Sequence, residues 1–83
     1  MKLLEFRAAA GLAPNAWTHE RAIAGLRQLY WPDTLCGGEG WWWAIATADN
    51  IVLACGWATG GVRDRNIDLA RAMVRVAPIG ASS

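Results

Sequence analysis

The stretch Gly40–Gly61, GWWWAIATADNIVLACGWATGG, decides the fold that we predict for this chain. Two apolar runs, Trp41–Thr47 and Ile51–Ala58, flank a short polar segment that contains Asn50, which is typical of a β-hairpin. Pairing Thr47 with Ile51 sorts the side chains by size onto the two faces of the hairpin. The large face carries Trp41, Trp43, Ile45, Ile51, Leu53, Cys55 and Trp57, and the small face carries Trp42, Ala44, Ala46, Val52, Ala54, Gly56 and Ala58.

The segment before the hairpin predicts one strand and one helix. Met1–Ala10 alternates apolar and polar residues, which favours a half-buried strand; its good helix formers leave a short helix as the alternative. A helix follows, capped by Asn15 or Thr18 and ended by Pro32. Its inward stripe recurs at helical spacing and consists of His19, Ile23, Leu26 and Tyr30.

The segment after the hairpin predicts a second helix over Asn66–Ala77, capped by Asp64 or Asn66 and ended by Pro78. The order is then β-α-β-β-α, an α+β domain. We expect a three-stranded, mostly antiparallel sheet with both helices packed on one face. Residues 1–78 form this single domain, and residues 79–83 form a C-terminal tail that frays.

Composition and charge set limits on the partner. The chain has 83 residues, 54% of them hydrophobic, with six Trp and a net charge of +1. So many large aromatic side chains can exceed what one small core hides, which hints at a partner. The only charged residues between positions 32 and 61 are acidic: Asp33, Glu39 and Asp49.

The sequence lacks the residue sets that catalysis and metal binding need. His19 is the only histidine and lies on the predicted apolar stripe, where it is unsuited to act as a base. Cys36, Cys55 and His19 do not have the spacing of a zinc site. The loop CGGEG has no Lys to hold a phosphate. We therefore expect no enzyme activity, no metal and no cofactor.

The two cysteines and the N-terminus indicate the compartment. Glu5 and Arg7 interrupt the apolar stretch that a signal peptide would need. We expect a cytoplasmic protein without a membrane span, in which Cys36 and Cys55 are reduced thiols. A disulfide between Cys36 and Cys55 is the alternative if the chain is exported. Cys55 itself is expected in the core.

Two surfaces are candidates for binding. The small face of the hairpin has no helix left to cover it, so we expect it to bind a protein partner, with Trp42 at its centre beside Ala44 and Ala54. The acidic residues around it, Asp33, Glu39 and Asp49, would attract a basic partner. The alternative is a nucleic-acid patch formed by Arg63, Arg65, Arg71 and Arg75.

A small, nearly neutral chain with a compact α+β order and surplus aromatic residues resembles small proteins of phages and mobile elements, and among these the anti-CRISPR proteins. The resemblance is one of size, composition and architecture and includes no sequence motif. It implies a non-catalytic inhibitor that binds a subunit of a CRISPR–Cas surveillance complex and blocks DNA recognition by steric obstruction. The alternative is a small nucleic-acid-binding module that uses Trp and Arg side chains. An obligate homodimer that pairs through the alanine-rich face of the hairpin is compatible with either function.

Overall fold

The computed structural model describes residues 1–13, 16–33 and 40–81 of the chain. Two helices flank an antiparallel four-stranded sheet in the strand order β1-β2-β3-β4. The elements are α1 (Leu3–Ala9), β1 (His19–Ile23), β2 (Leu26–Asp33), β3 (Gly40–Ala46), β4 (Val52–Thr59) and α2 (Val62–Ala81). The α+β class is as expected, but the sheet has four strands and the order is α-β-β-β-β-α.

The first segment forms α1, so the strand expected over Met1–Ala10 is wrong and the helix alternative is correct. The Glu5 carboxylate accepts a hydrogen bond from the Lys2 backbone N–H at 3.2 Å and so stabilises the first turn. Leu3, Phe6 and Ala10 recur at helical spacing and are buried. Burial of this stripe against the sheet outweighs the two-residue alternation of the sequence.

The helix expected between Asn15 or Thr18 and Pro32 is also wrong, because this segment is the β1–β2 hairpin. Ala24 and Gly25 form its two-residue turn with φ of 54° and 76°, as a hairpin turn of this length requires. The apparent helical stripe consists of two cross-strand pairs, His19 with Tyr30 and Ile23 with Leu26. Tertiary pairing of β2 with β3 on its other side overrides the helix propensity of the segment.

The β3–β4 hairpin is present, but its register differs from the predicted one. The Thr47 N–H donates to the Ile51 carbonyl at 2.9 Å, as predicted, and Asn50 has a φ of 64°. A β-bulge then leaves Leu53 without a partner and shifts all later pairs by one residue. Trp57 therefore pairs with Trp42 instead of Trp41, and Cys55 pairs with Ala44.

The two helices lie on opposite faces of the sheet, so the expectation that both pack on one face is wrong. Both faces of β3 are apolar, and each therefore needs a cover. On the α1 face, the buried cluster consists of Leu3, Phe6, Leu29, Trp31, Ala44 and Ala46. On the α2 face, the buried cluster consists of Trp43, Ile45, Ala58, Leu69 and Ala72.

The second helix is confirmed but is longer than Asn66–Ala77. It begins at Val62, directly after Gly60 and Gly61, and packs on β3 and β4 with the stripe that contains Leu69 and Ala72. It continues through Pro78 to Ala81, so Pro78 does not end it as expected. Residues 82 and 83 lie outside the described part of the chain. No described helix is long and apolar enough to cross a membrane.

Candidate protein-binding edge

The residues predicted to form a protein-binding face do not share one free surface. Trp42 is half-buried, with its ring centroid 6.3 Å from that of Phe6 in α1. Ala44 has no exposed surface, because the cluster around α1 covers it. Ala54 pairs with Ile45 after the bulge and therefore lies on the α2 face. The premise that this face has no helix to cover it is wrong.

Two of the acidic residues expected around that face, Asp33 and Asp49, are far apart along the sheet. Asp49 is exposed in the turn between β3 and β4. Asp33 ends β2 at the opposite end of the sheet, where it pairs with Gly40. Glu39, like Cys36, lies outside the described residues. Asp33 and Asp49 thus cannot form one acidic ring around Trp42.

The four arginines of the alternative patch divide into one structural residue and three exposed ones. Arg65 is only 7% exposed, and its guanidinium lies 3.7 Å from the Tyr30 ring centroid and 4.6 Å from that of Trp41. This cation–π contact attaches α2 to the sheet. The exposed arginines on α2 are Arg63, Arg71 and Arg75. They lie on the helix that covers the face opposite Trp42, so they do not surround its ring.

An aromatic cluster extends from this contact towards β1. The His19 ring stacks on that of Tyr30 with centroids 4.7 Å apart, and Trp17 lies 4.0 Å from His19. The outermost ring, that of Trp17, is 73% exposed. His19 is thus one member of an aromatic stack, which agrees with the prediction that it is a packed residue. Its ring has no carboxylate or nucleophile among the contacts described for it.

An uncharged surface with several exposed apolar side chains follows β4, the last strand of the sheet. Residues 50–62 contain no charged side chain. On this strand Trp57 is 39% exposed, Leu53 is 46% exposed, and Cys55 is an exposed free cysteine. The expectation that Leu53, Cys55 and Trp57 lie in the core is wrong, because the bulge turns them away from the cluster under α2.

The backbone of β4 has unused hydrogen-bonding groups that point away from the sheet. Just after β3, the Thr47 N–H points to Ile51, which directly precedes β4. The N–H and C=O groups of successive residues in a strand point in alternate directions, so those of Ala44, Trp42 and Gly40 point to β2. Their partners in β4, which are Cys55, Trp57 and Thr59, must then direct their N–H and C=O groups to the outer edge. We call Cys55–Thr59 the free edge.

The free edge has a definite beginning and end. Just before it, the Val52 N–H donates to the Met1 carbonyl at 2.8 Å, and Leu3 donates to the Asn50 carbonyl at 2.8 Å. The start of the chain therefore closes the outer edge of β4 as far as Val52. After Thr59, Gly60 has a φ of 88° and turns the chain into α2. No other described residue bonds to the outward-facing N–H and C=O groups of Cys55, Trp57 and Thr59.

The opposite edge of the sheet, β1, is protected by charge. Glu20 accepts hydrogen bonds from Arg27 of β2 at 2.7 and 2.9 Å, and these lower the pKa of the Glu20 carboxyl. Arg21 of β1 donates to Gln28 at 3.2 Å. Charged side chains on an edge strand are a common protection against pairing with another strand. The free edge of β4 has no such protection.

A shallow groove of about 450 Å³ lies where the free edge meets α2. Its α2 wall is a stripe at helical spacing that consists of Asp64, Ile67, Asp68 and Arg71. Trp57, Ala58 and Thr59 form the β4 wall. A strand added to the free edge would therefore also contact this stripe of α2.

Sequence reasoning missed the free edge because it assigned Cys55 and Trp57 to the core. One signal was available: the last strand of consecutive hairpins lies at the edge of its sheet, and this strand is uncharged. No group of His, Cys, Asp or Glu side chains that could hold a metal ion occurs among the described residues. Comparisons of the chain with protein-family models, curated proteins and solved structures gave no match.

Proposed function

We propose that this chain is a non-catalytic protein-binding module that docks by adding the free edge of β4 to a strand of a protein partner. The observation that carries the proposal is the row of outward-facing N–H and C=O groups at Cys55, Trp57 and Thr59, which pair with no described residue and lie on an uncharged strand beside the half-exposed Trp57 side chain. The other edge of the same sheet, β1, carries charged side chains, so the uncharged edge is the one on the β4 side of the sheet.

The physical basis is that of strand addition. Main-chain hydrogen bonds along the edge supply affinity, and side chains on alternate positions supply specificity. Trp57 is the anchor, because Trp is enriched among the residues that dominate binding energy at protein interfaces. The absence of charge along residues 50–62 avoids the cost of desolvating ions at the contact.

An inhibitor of a CRISPR–Cas complex, as the resemblance to anti-CRISPR proteins implies, is one form of this proposal. The chain would then add its free edge to a Cas subunit and obstruct the site sterically. A phage plaque assay in a strain with active CRISPR–Cas immunity tests this form: the chain should restore plaques, and Cys55→Lys should restore none. Immunity unaffected by the original chain contradicts the inhibitor role and leaves strand addition to its own test.

The nucleic-acid alternative has less support. Arg65 is engaged with Tyr30 and Trp41, and the exposed arginines are interspersed with Asp64 and Asp68 on the same helix. A continuous basic track is what phosphate binding needs. The measurement that would restore this alternative is salt-dependent binding of single-stranded DNA that is lost when Arg71 and Arg75 are both changed to Glu.

Site-specific photo-crosslinking tests the proposed function. A photoreactive amino acid replaces Cys55 on the free edge, or Arg21 on the β1 edge as the matched control, in cells that produce the chain. We expect discrete protein adducts from position 55 and none from position 21. Adducts from both positions, from position 21 alone, or from neither would contradict the proposal.

A further inference from the structure

The free edge is symmetric about Trp57. Its outward-facing residues are Cys55, Trp57 and Thr59, with the bulge and the Met1 pairing on one side and the turn at Gly60 on the other. An antiparallel strand that uses all three must be centred on Trp57. About six main-chain hydrogen bonds are then available.

We propose that the strand which occupies the free edge is β4 of a second copy of this chain. This inference rests on the proposed function and names the partner. The two β4 strands run antiparallel about a two-fold axis at Trp57, which faces the partner's Trp57, while Cys55 faces the partner's Thr59. The two sheets become one continuous antiparallel sheet.

The side chains of the edge are compatible with their own copies. In a two-fold antiparallel pair, a charged residue near the axis would face a like charge, which is destabilising. None of the residues from Ile51 to Val62 is charged, so the pairing has no such repulsion. Trp57 near the axis instead forms an aromatic cross-strand pair, which is favourable. A symmetric contact of this kind closes as a dimer and does not propagate into a fibre.

The position of α2 also suits a second copy. The helix packs on both β3 and β4, so its axis lies between these two strands. Adjacent strands are about 4.8 Å apart, which places α2 and the partner's α2 about 10 Å apart across the two-fold axis. Packed helices are 8–10 Å apart, so the two helices would come into contact rather than collide or leave a gap.

The groove stripe of α2 has charges that complement its own copy. Along the stripe, Asp64 and Asp68 precede Arg71, with Ile67 between the two carboxylates. With Ile67 nearest the two-fold axis, the second helix runs in the reverse direction, and Asp64 of each copy lies towards the partner's Arg71. Asp68 is next to Ile67, so it lies near the axis and faces a like charge there, which opposes the contact. Ile67 is 39% exposed and supplies an apolar contact at the centre. An unrelated strand without a helix would contact this stripe only with the side chains of the strand itself.

Sedimentation equilibrium of the full chain tests the dimer. We expect a species of twice the 9.0 kDa chain mass, and at least a tenfold rise in the dimer dissociation constant on Cys55→Lys or Thr59→Lys. Ala22→Lys, on the exposed β1 edge, is the matched control and should leave the constant unchanged. Circular dichroism verifies that each variant is folded. A monomer at every concentration, or a dimer that only Ala22→Lys weakens, overturns the proposal.

Cysteine crosslinking tests the register. In a chain with Cys36 changed to Ser, Thr59→Cys places a thiol opposite the partner's Cys55, where paired residues are about 5.5 Å apart and within reach of a disulfide, and Trp57 stays in place. In the control chain Cys55 is also changed to Ser, and the two thiols at position 59 are then more than about 10 Å apart, because each residue of a strand advances about 3.3 Å. We expect an oxidised dimer from the first chain and none from the control. A dimer linked in the control chain, or none in the first chain, overturns the register.

The two proposals can fail separately. If the chain is monomeric while a photoreactive residue at position 55 captures a different protein, the homodimer is overturned and the proposed function stands. If position 55 captures only a second copy, both are supported. If the chain is monomeric and position 55 captures nothing, both are overturned.

Discussion

The Arg65 guanidinium lies 3.7 Å from the centre of the Tyr30 ring and thereby attaches α2 to β2. Trp41 completes the contact from β3 at 4.6 Å, and one N–H of Arg65 donates to the Asn66 side chain at 3.1 Å. The groove beside the free edge depends on where α2 packs, so this contact also helps to position the proposed binding surface.

Arg65→Ala should lower the free energy of unfolding by about 2 kcal/mol, because a desolvated cation–π contact and the packing of the arginine stem are both lost. Urea denaturation followed by Trp fluorescence measures the change. Arg63→Ala removes an exposed arginine two residues away and should change stability by less than about 0.5 kcal/mol. Equal effects of the two substitutions would contradict the structural role of Arg65.

Gly56→Ala should destabilise the chain by about 1–3 kcal/mol, because a Cβ at this position would lie 2.7 Å from the Trp43 ring and overpack the sheet. The matched control is Gly61→Ala, where a Cβ meets no atom within 4 Å and the backbone is unstrained. Thermal denaturation of both variants should separate them clearly. A Gly56→Ala chain as stable as the original would mean that Trp43 does not lie over Gly56.

Ile45→Ala should cost about 2–5 kcal/mol, since Ile45 has no exposed surface and its truncation leaves a cavity. Leu53→Ala should cost less than about 1 kcal/mol, because Leu53 is exposed at the bulge. Chemical denaturation of the two variants compares them. If Leu53→Ala proves the more damaging, the bulge is absent and Leu53 lies in the core.

Glu20 should stabilise the chain only above acidic pH. Hydrogen bonds from Arg27 lower the pKa of its carboxyl in the folded state, so its contribution is present above the unfolded pKa and is lost as pH falls through the folded pKa. Glu20→Gln should therefore reduce the loss of stability on acidification. A pH series of unfolding midpoints measures this. If the unfolding midpoints of the original and Glu20→Gln chains depend on pH in the same way, or if the Glu20 carboxyl titrates above its ordinary pKa, the ion pair is contradicted.

The sequence predicted the β3–β4 hairpin and α2 because their signals are local. Apolar runs around Asn50 define the turn, and helical spacing from Leu69 to Val76 defines the buried stripe of α2. By contrast, the pattern from His19 to Tyr30 fits both a helix and a hairpin. Only pairing of β2 with β3 decides between them, and that contact is not local.

The exposed side chains of the candidate site were placed on the wrong face because their position depends on one bulge. Trp41, Trp42 and Trp43 are all large, so size alone does not show which of them pairs with Trp57. The unpaired Leu53 moves Cys55 and Trp57 onto the other face and moves Ala54 under α2. A one-residue shift of this kind exchanges the faces of every later residue in the strand.

Amide hydrogen exchange at the free edge tests most directly the claim that β4 binds another strand. The N–H groups of Cys55, Trp57 and Thr59 should exchange quickly in dilute protein, where they face water, and at least tenfold more slowly at concentrations where the dimer forms. Amides of β1 serve as the internal control and should not change. Exchange at Cys55, Trp57 and Thr59 that is equally fast at both concentrations, or new protection at β1 instead, would contradict the account.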